Sequence, residues 1–260
     1  MTTQPATVDR LREREAPDER PVMRQIWRHL GFLHWAVPSD ALAPLLPPGL
    51  EPDTFDGVAY VGLVPFTIPL SRVAGVGLPI APRFHELNLR TYVHRAGRAP
   101  GVWFFSLDAA SRLAVAGART FYGLPYFHAR MSMEISGEGD SPTIVYSSVR
   151  RAGRGPAAAF QARYGPAAPI VPAPPETLAF FLAERYRLYA WNGRALSAAR
   201  VHHAPYPLQV ARVESLSETL TGAAGLPASL GPPAHVHYAR EVDVRIYRPH
   251  RVDARAPADR

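Results

Sequence analysis

The chain has 260 residues, 47% hydrophobic and 20% charged, the balance of an ordinary globular domain and not of a disordered chain. All 29 basic residues are arginine, there is neither lysine nor cysteine, and 22 acidic residues leave a net charge of +7. These counts exclude a Schiff base on a side-chain amine, a P-loop lysine, a disulfide framework, a thiol nucleophile and a thiolate metal site.

Residues 1–22 are polar, mix Arg with Glu and hold no apolar stretch, so they read as a flexible charged leader and not as a secretory signal. With no apolar run near the ~20 residues of a membrane span, the expectation is a cytoplasmic protein with no membrane partner. The arginines stand singly, and the positive charge therefore does not point to nucleic acid.

Residues 27–35 are apolar and aromatic enough for a buried strand, and Ser39 is placed to cap a short helix that Pro47-Pro48-Gly49 stops. Asp56-Gly57 signals a tight turn before a strand over 58–66, and the Gly- and Pro-punctuated residues 69–82 read as a loop. Residues 84–94 alternate cleanly: Glu86, Asn88, Arg90 and Tyr92 share one face, Leu87, Leu89, Thr91 and Val93 the other. A hairpin at Ala96-Gly97-Arg98 returns the chain to a strand over 102–107, and Asp108 is placed to cap an Ala-rich helix ending near Arg119.

After the turn Gly123-Leu124-Pro125 come strands at 129–136 and 143–149, then a long Pro- and Gly-rich loop over 151–175. Residues 175–190 have the best helical spacing in the chain, with Leu178, Phe181, Leu182, Arg185 and Tyr189 on one side. Strands at 199–203 and 208–213 follow, then a short helix that Ser215 and Glu218 have the spacing to cap as a capping box, and a last strand over 235–247. No repeat and no domain boundary emerges, which gives one domain over 23–250 and a flexible tail over 251–260. Many short strands with a few helices make the fold class α+β with β dominant.

The strand face of Glu86, Asn88 and Arg90 reads two ways. Turned to solvent, it is the polar side of a half-buried strand. Turned inward, it brings a carboxylate, an amide and a guanidinium together in low dielectric, where Arg90 would hold Glu86 ionised or orient a carboxylate ligand. Tyr122 and Tyr126, with Arg119, crowd the rigid turn that follows; they form either a hydrogen-bonded corner or part of a site. His235 and His237 share a strand face, but no third ligand has recognisable spacing, and no metal or other cofactor is expected. Neither a GxSxG elbow nor a GxGxxG turn is present, which leaves nucleophilic hydrolysis and dinucleotide binding without support.

Ala116-Gly117-Ala118-Arg119-Thr120-Phe121-Tyr122-Gly123-Leu124-Pro125-Tyr126-Phe127 resembles the Gly-Arg-Glu…Gly-Phe-Pro-Lys turn of the acetoacetate decarboxylase superfamily. Phe32-Leu33-His34-Trp35, Leu46-Pro47-Pro48-Gly49-Leu50, Asp53-Thr54-Phe55-Asp56-Gly57, the strand from Glu86 to Val93, that from Gly101 to Asp108, and Glu184-Arg185-Tyr186 extend the likeness over residues 24–247. Together they resemble the YqjF-like family within that superfamily. The resemblance implies a β-barrel-like, mostly antiparallel core with packed helices and a pocket inside, and homo-oligomers that are common among its members.

It also implies that Glu86 sits where the decarboxylases keep a pocket glutamate, Tyr126 at the Schiff-base lysine, Phe127 at its neighbouring lysine, and Trp35 near a substrate-binding arginine. Imine-based decarboxylation is excluded by the missing lysines. Two functions remain open: acid/base chemistry on a small carbonyl or carboxylate compound, or binding without chemistry in the same cavity. In the first, Glu86 and Tyr126 are the catalytic candidates, and His34, Trp35, Asn88, Arg90, Arg119 and Tyr122 the substrate-binding ones.

Overall fold

Strands form where apolar and aromatic residues run together, and most connections between them are short. The computed structural model describes residues 3–137, 139, 141–151, 155–227 and 230–252. Helix α1 (Thr7–Arg12) precedes β1 (Met23–Val37), helix α2 (Ser39–Leu42) and a 3-10 turn at Ala43–Leu45. Next come β2 (Glu51–Pro52), β3 (Ala59–Val73), β4 (Pro79–Ala81), β5 (Phe84–Arg95) and β6 (Arg98–Ala109). Helix α3 (Arg112–Tyr122) leads to β7 (Tyr126–Ser136), β8 (Thr143–Arg150) and β9 (Ala159–Pro166). After α4 (Leu178–Ala183) come β10 (Arg187–Trp191), β11 (Leu196–His203) and β12 (Leu208–Glu218). Helix α5 (Leu220–Ala223), β13 (His235–Ile246) and β14 (His250–Val252) complete the described chain.

Among the described residues the 14 strands form one sheet that closes on itself. The path β6-β7-β8-β9-β12-β13-β1-β3-β5 returns to β6 through the β5–β6 hairpin. A second circuit leaves β6 through β10 and β11 and rejoins at β13. Only β6–β7 and β6–β10 pair in parallel; the other named pairings are antiparallel. The fold is thus β-dominant α+β, a mostly antiparallel cone with few helices.

Strands β13, β1, β3, β5 and β6 form a wall common to both circuits, and each face of that wall lies in its own core. Leu30, Phe32, Val64, Phe66, Tyr92 and Phe104 face one core, whereas Leu33, Trp35, Val61, Leu63, Leu87 and Leu89 face the other. The strict alternation of side chains along a strand puts neighbouring residues in different cores.

Several local expectations are corrected by packing. The leader is held: Arg10 makes two hydrogen bonds of 2.6 Å to Asp53, and Glu13 is buried against Arg187 and Arg200. The loop expected over 69–82 is partly strand, because β3 runs on to Val73 and β4 pairs with it. The loop expected over 151–175 holds β9, paired with β8 and β12; residues 152–154 lie outside the described residues. The helix expected over 175–190 stops at Ala183, and β10 takes its second half.

Caps move as well. Ser111, not Asp108, caps α3 by accepting from the Ala114 N–H, while Asp108 stays in β6. Ser39 lies inside α2, whose N-cap is Pro38. The N-cap of α5 is Thr219, and Glu218, at the end of β12, accepts from the Thr221 N–H at 3.0 Å without Ser215. Residues 251–252 of the expected tail belong to β14, and 253–260 lie outside the described residues. No described helix is long and apolar enough to cross a membrane.

Candidate functional site

The first core is not filled. It holds a cavity of about 860 Å³ whose wall is mostly apolar, with Trp27, Leu30, Phe32, Phe66, Phe84 and Phe104 among its lining residues and the exposed Leu113 and Phe121 at its edge. The polar face of β5 looks into it: Glu86, Asn88 and Arg90 all line the cavity and are each at least nine-tenths buried. Of the two readings of the alternating strand, the inward one holds. Gln25 and Ser71 add polar atoms elsewhere on the wall, where the Gln25 side-chain amide donates to Ser71 Oγ at 3.2 Å.

Tyr126 reaches the same cavity from a turn built by local chemistry. Gly123 ends α3 in the left-handed region, φ 65°, where an L side chain is strained. Arg119 then donates from Nε to the Tyr126 carbonyl at 2.7 Å, fixing the start of β7. From there the Tyr126 hydroxyl donates to Glu86 Oε2 at 3.0 Å. Beneath the turn, Arg150 pairs with buried Asp108 at 2.8 Å and stacks on the Phe127 ring at 4.0 Å. Tyr122 also lines the cavity, and its hydroxyl donates to the Tyr247 carbonyl at 3.3 Å.

Burial pushes the Glu86 carboxyl up to about 8, against the downward pull of hydrogen bonds from Tyr126 and Asn88. The carboxyl is therefore mostly neutral at pH 7. Arg90 is not among the groups that shift it, so the expected Arg90–Glu86 charge pairing is not formed. Burial and the adjacent Glu86 keep the Tyr126 hydroxyl well above the usual phenol range, so Tyr126 acts as a donor and stays protonated. Asn88 keeps its side-chain carbonyl oxygen without a partner.

Three expected site residues stand apart from the cavity lining. Trp35 faces the second core and donates from its indole to the Gly231 carbonyl at 2.9 Å, because its odd position on β1 points away from Phe32. Arg119 braces the turn as described. His34 is fully buried on the Phe32 side of β1, with Nε2 2.6 Å from the Tyr92 hydroxyl. The Tyr92 proton goes to the Leu182 carbonyl at 2.6 Å, so His34 must donate from Nε2, which leaves Nδ1 unprotonated and unpartnered. Burial, then Arg90, lowers its pKa well below the usual imidazole value, and the ring is neutral.

Sequence reasoning did not assign Arg185 or Tyr206 to the site, yet both line the cavity. Arg185 donates from Nη1 to Asp53 and from Nε to the Phe181 carbonyl, at 2.6 and 2.7 Å, and lies on the Tyr92 and Phe181 rings. The signal was present in Glu184-Arg185-Tyr186, a charged pair embedded among aromatics, but helical spacing grouped Arg185 with Leu178, Phe181, Leu182 and Tyr189 on one side of an expected helix. Among the described residues no cluster of three metal-ligating side chains occurs, and His235 and His237 are opposite His34 and Phe32 on β1.

Residues 24–243 match the family model DUF2071, described as an uncharacterized conserved protein. The chain is 42% identical over 234 residues to the uncharacterized protein YqjF of Bacillus subtilis strain 168, covering 89% of this chain and 93% of that one. Among solved structures, the enduracididine biosynthesis enzyme MppR, complexed with the condensation product of pyruvate and imidazole 4-carboxaldehyde, is similar at a TM-score of 0.61 and 14% identity. That match covers 93% of this chain and 94% of MppR. Acetoacetate decarboxylase from Legionella pneumophila is similar at a TM-score of 0.60 and 15% identity, over 97% and 98% of the two chains. Identities this low establish a common fold.

Proposed function

The chain belongs to the DUF2071 family, in the YqjF-like branch of the acetoacetate decarboxylase-like fold, and from that premise we propose that it acts on a small carbonyl or carboxylate compound by acid/base chemistry without a Schiff base. The observation that carries this reading is Glu86: a buried carboxyl, shifted to about 8 and held by Tyr126, on the wall of an 860 Å³ cavity. A proton donor whose pKa lies close to the working pH serves equally as the conjugate base, which suits proton transfer beside a carbonyl. The ionised fraction of Glu86 takes a proton from the carbon beside the carbonyl, and the neutral Glu86 so formed hands that proton to the carbonyl oxygen or to another carbon. Isomerisation, enolisation and hydration are the reactions this set serves. The chain has no lysine for an imine, and Tyr126 stands at the position where the resemblance places one.

Once a substrate is found, Glu86→Gln should lower kcat by 100-fold or more, since general acid–base catalysis contributes roughly 10²–10⁴-fold. Undiminished turnover by that variant would remove Glu86 from the chemistry. A second reading, binding or sequestration without turnover, is favoured by the way Tyr126 and Asn88 already satisfy Glu86. Its mark is a bound compound recovered chemically unchanged after prolonged incubation with the pure protein.

A further inference from the structure

Further along β5 the cavity wall carries one guanidinium, that of Arg90, without a matching anion. Glu86 and Arg90 are four residues apart on one strand face, a Cα separation of about 13 Å. Arg90 donates from Nη2 to the Leu182 carbonyl at 3.0 Å, and its Nε is buried without a partner. Among the described residues, no carboxylate lies within ion-pair distance of it. Arg185, also on the wall, leaves Nη2 buried and unpartnered. Both guanidiniums lie on the Tyr92 ring, 5.6 and 4.6 Å from its centroid.

The carboxylate that Arg185 pairs with, Asp53, is shared with Arg10, and the Glu184 carboxylate beside Tyr206 is taken by the Tyr206 N–H and the Tyr186 hydroxyl. Two guanidiniums thus share Asp53, Arg90 has no carboxylate of its own, and His34, which feels the Arg90 charge, is neutral and adds no compensation. Tyr206 lines the same region, buried, with a hydroxyl that makes no hydrogen bond among the described residues. A buried cation without a counter-ion is costly, and a ligand carboxylate is the group that removes the cost.

Building on the cavity reading above, we propose that the Arg90–Arg185 corner is a carboxylate-binding subsite and that the ligand is an elongated amphiphilic acid. Its carboxylate meets Arg90, Arg185 and the Tyr206 hydroxyl. Its apolar body lies between Phe104, which is paired with Arg90, and Phe66, which is paired with Glu86. Its far end presents a hydrogen-bond acceptor, such as a carbonyl oxygen, to Glu86. Short acids of three or four carbons engage one end of the site but not both.

Calorimetric titration of the full chain with decanoate, decanamide, octanoate and butanoate tests this. Decanoate should bind at least tenfold more tightly than decanamide, and affinity should rise by about fourfold per methylene from butanoate to octanoate. Arg90→Met should abolish the preference for acid over amide while leaving decanamide affinity within threefold, and Arg90→Lys should retain part of the preference. Equal affinity for acid and amide, or a preference that survives Arg90→Met, overturns the subsite while leaving the cavity reading intact. Tightest binding by butanoate overturns the elongated ligand. Absence of binding by every probe overturns the cavity reading together with the subsite. Should Arg90→Met fail to fold, the acid-against-amide comparison on the unaltered chain and on Arg90→Lys decides the matter.

Discussion

Glu86 stores free energy in a form that pH reveals. Its folded pKa of about 8 lies above the ordinary 4.5, so between those values the folded protein binds a proton that the unfolded chain has released. The contribution of this group to stability is complete below about pH 4.5 and is lost as pH rises through 8, with a slope of at most about 1.4 kcal/mol per pH unit. Urea unfolding should therefore show the unaltered chain losing more stability between pH 6 and pH 9 than Glu86→Gln, which has no proton to lose. Parallel losses in the two proteins would mean that Glu86 titrates normally. Tyr126→Phe probes the same carboxyl from outside: removing a hydrogen bond that favours the charged form should move the Glu86 midpoint further up, measurable by carbon NMR of the labelled carboxyl. A downward movement would contradict the assigned direction of that bond. The sequence made the common face of Glu86, Asn88 and Arg90 legible through its period of two. What that face looked at was not legible, because the facing side chains, such as Phe32 and Tyr126, come from β1 and β7.

At the scale of elements, the turn between α3 and β7 shows what local chemistry alone specifies. Gly123 supplies the left-handed residue, Pro125 fixes its own φ, and Arg119 ties the helix to the first carbonyl of the strand. A Cβ added at Gly123 would approach nothing closer than Asn192 Cβ at 3.9 Å, so Gly123→Ala tests the backbone without a steric clash. That substitution should cost about 1 kcal/mol in chemical denaturation; an unchanged midpoint would show that the turn relaxes freely. The turn was readable because all of its determinants lie within a few residues. Strand β10 was not, because Leu188 and Tyr189 obey a helical spacing yet pair with Val102 and Trp103, more than eighty residues away. The break comes at Glu184, which leaves helical geometry at ψ 84° and turns its carboxylate to the Tyr186 hydroxyl and the Tyr206 N–H. Nothing in the residue spacing announces that partnership.

At the scale of the whole molecule, sheet closure makes one wall serve two interiors. Closure depends on β13 pairing with β1, a contact between opposite ends of the chain that no local pattern encodes; the likeness to a known fold supplied it. The N-terminal segment is joined to this plan through Asp53, whose carboxylate holds Arg10 from α1 and Arg185 from the cavity wall. Burial would raise that carboxyl, but Arg185 and Arg10 together hold it below its usual value. Its stabilisation is therefore present at neutral pH and is lost as pH falls through the depressed value. Asp53→Asn leaves both guanidiniums without their counter-charge and should cost about 3–5 kcal/mol, whereas Arg10→Met keeps the Asp53–Arg185 pair and should cost clearly less. Urea unfolding of the two variants at pH 7 measures the difference. Equal costs would mean that Asp53 serves chiefly to dock α1. A larger cost for Asp53→Asn means that it neutralises the cavity wall, and that α1 makes use of a carboxylate which the wall requires in any case.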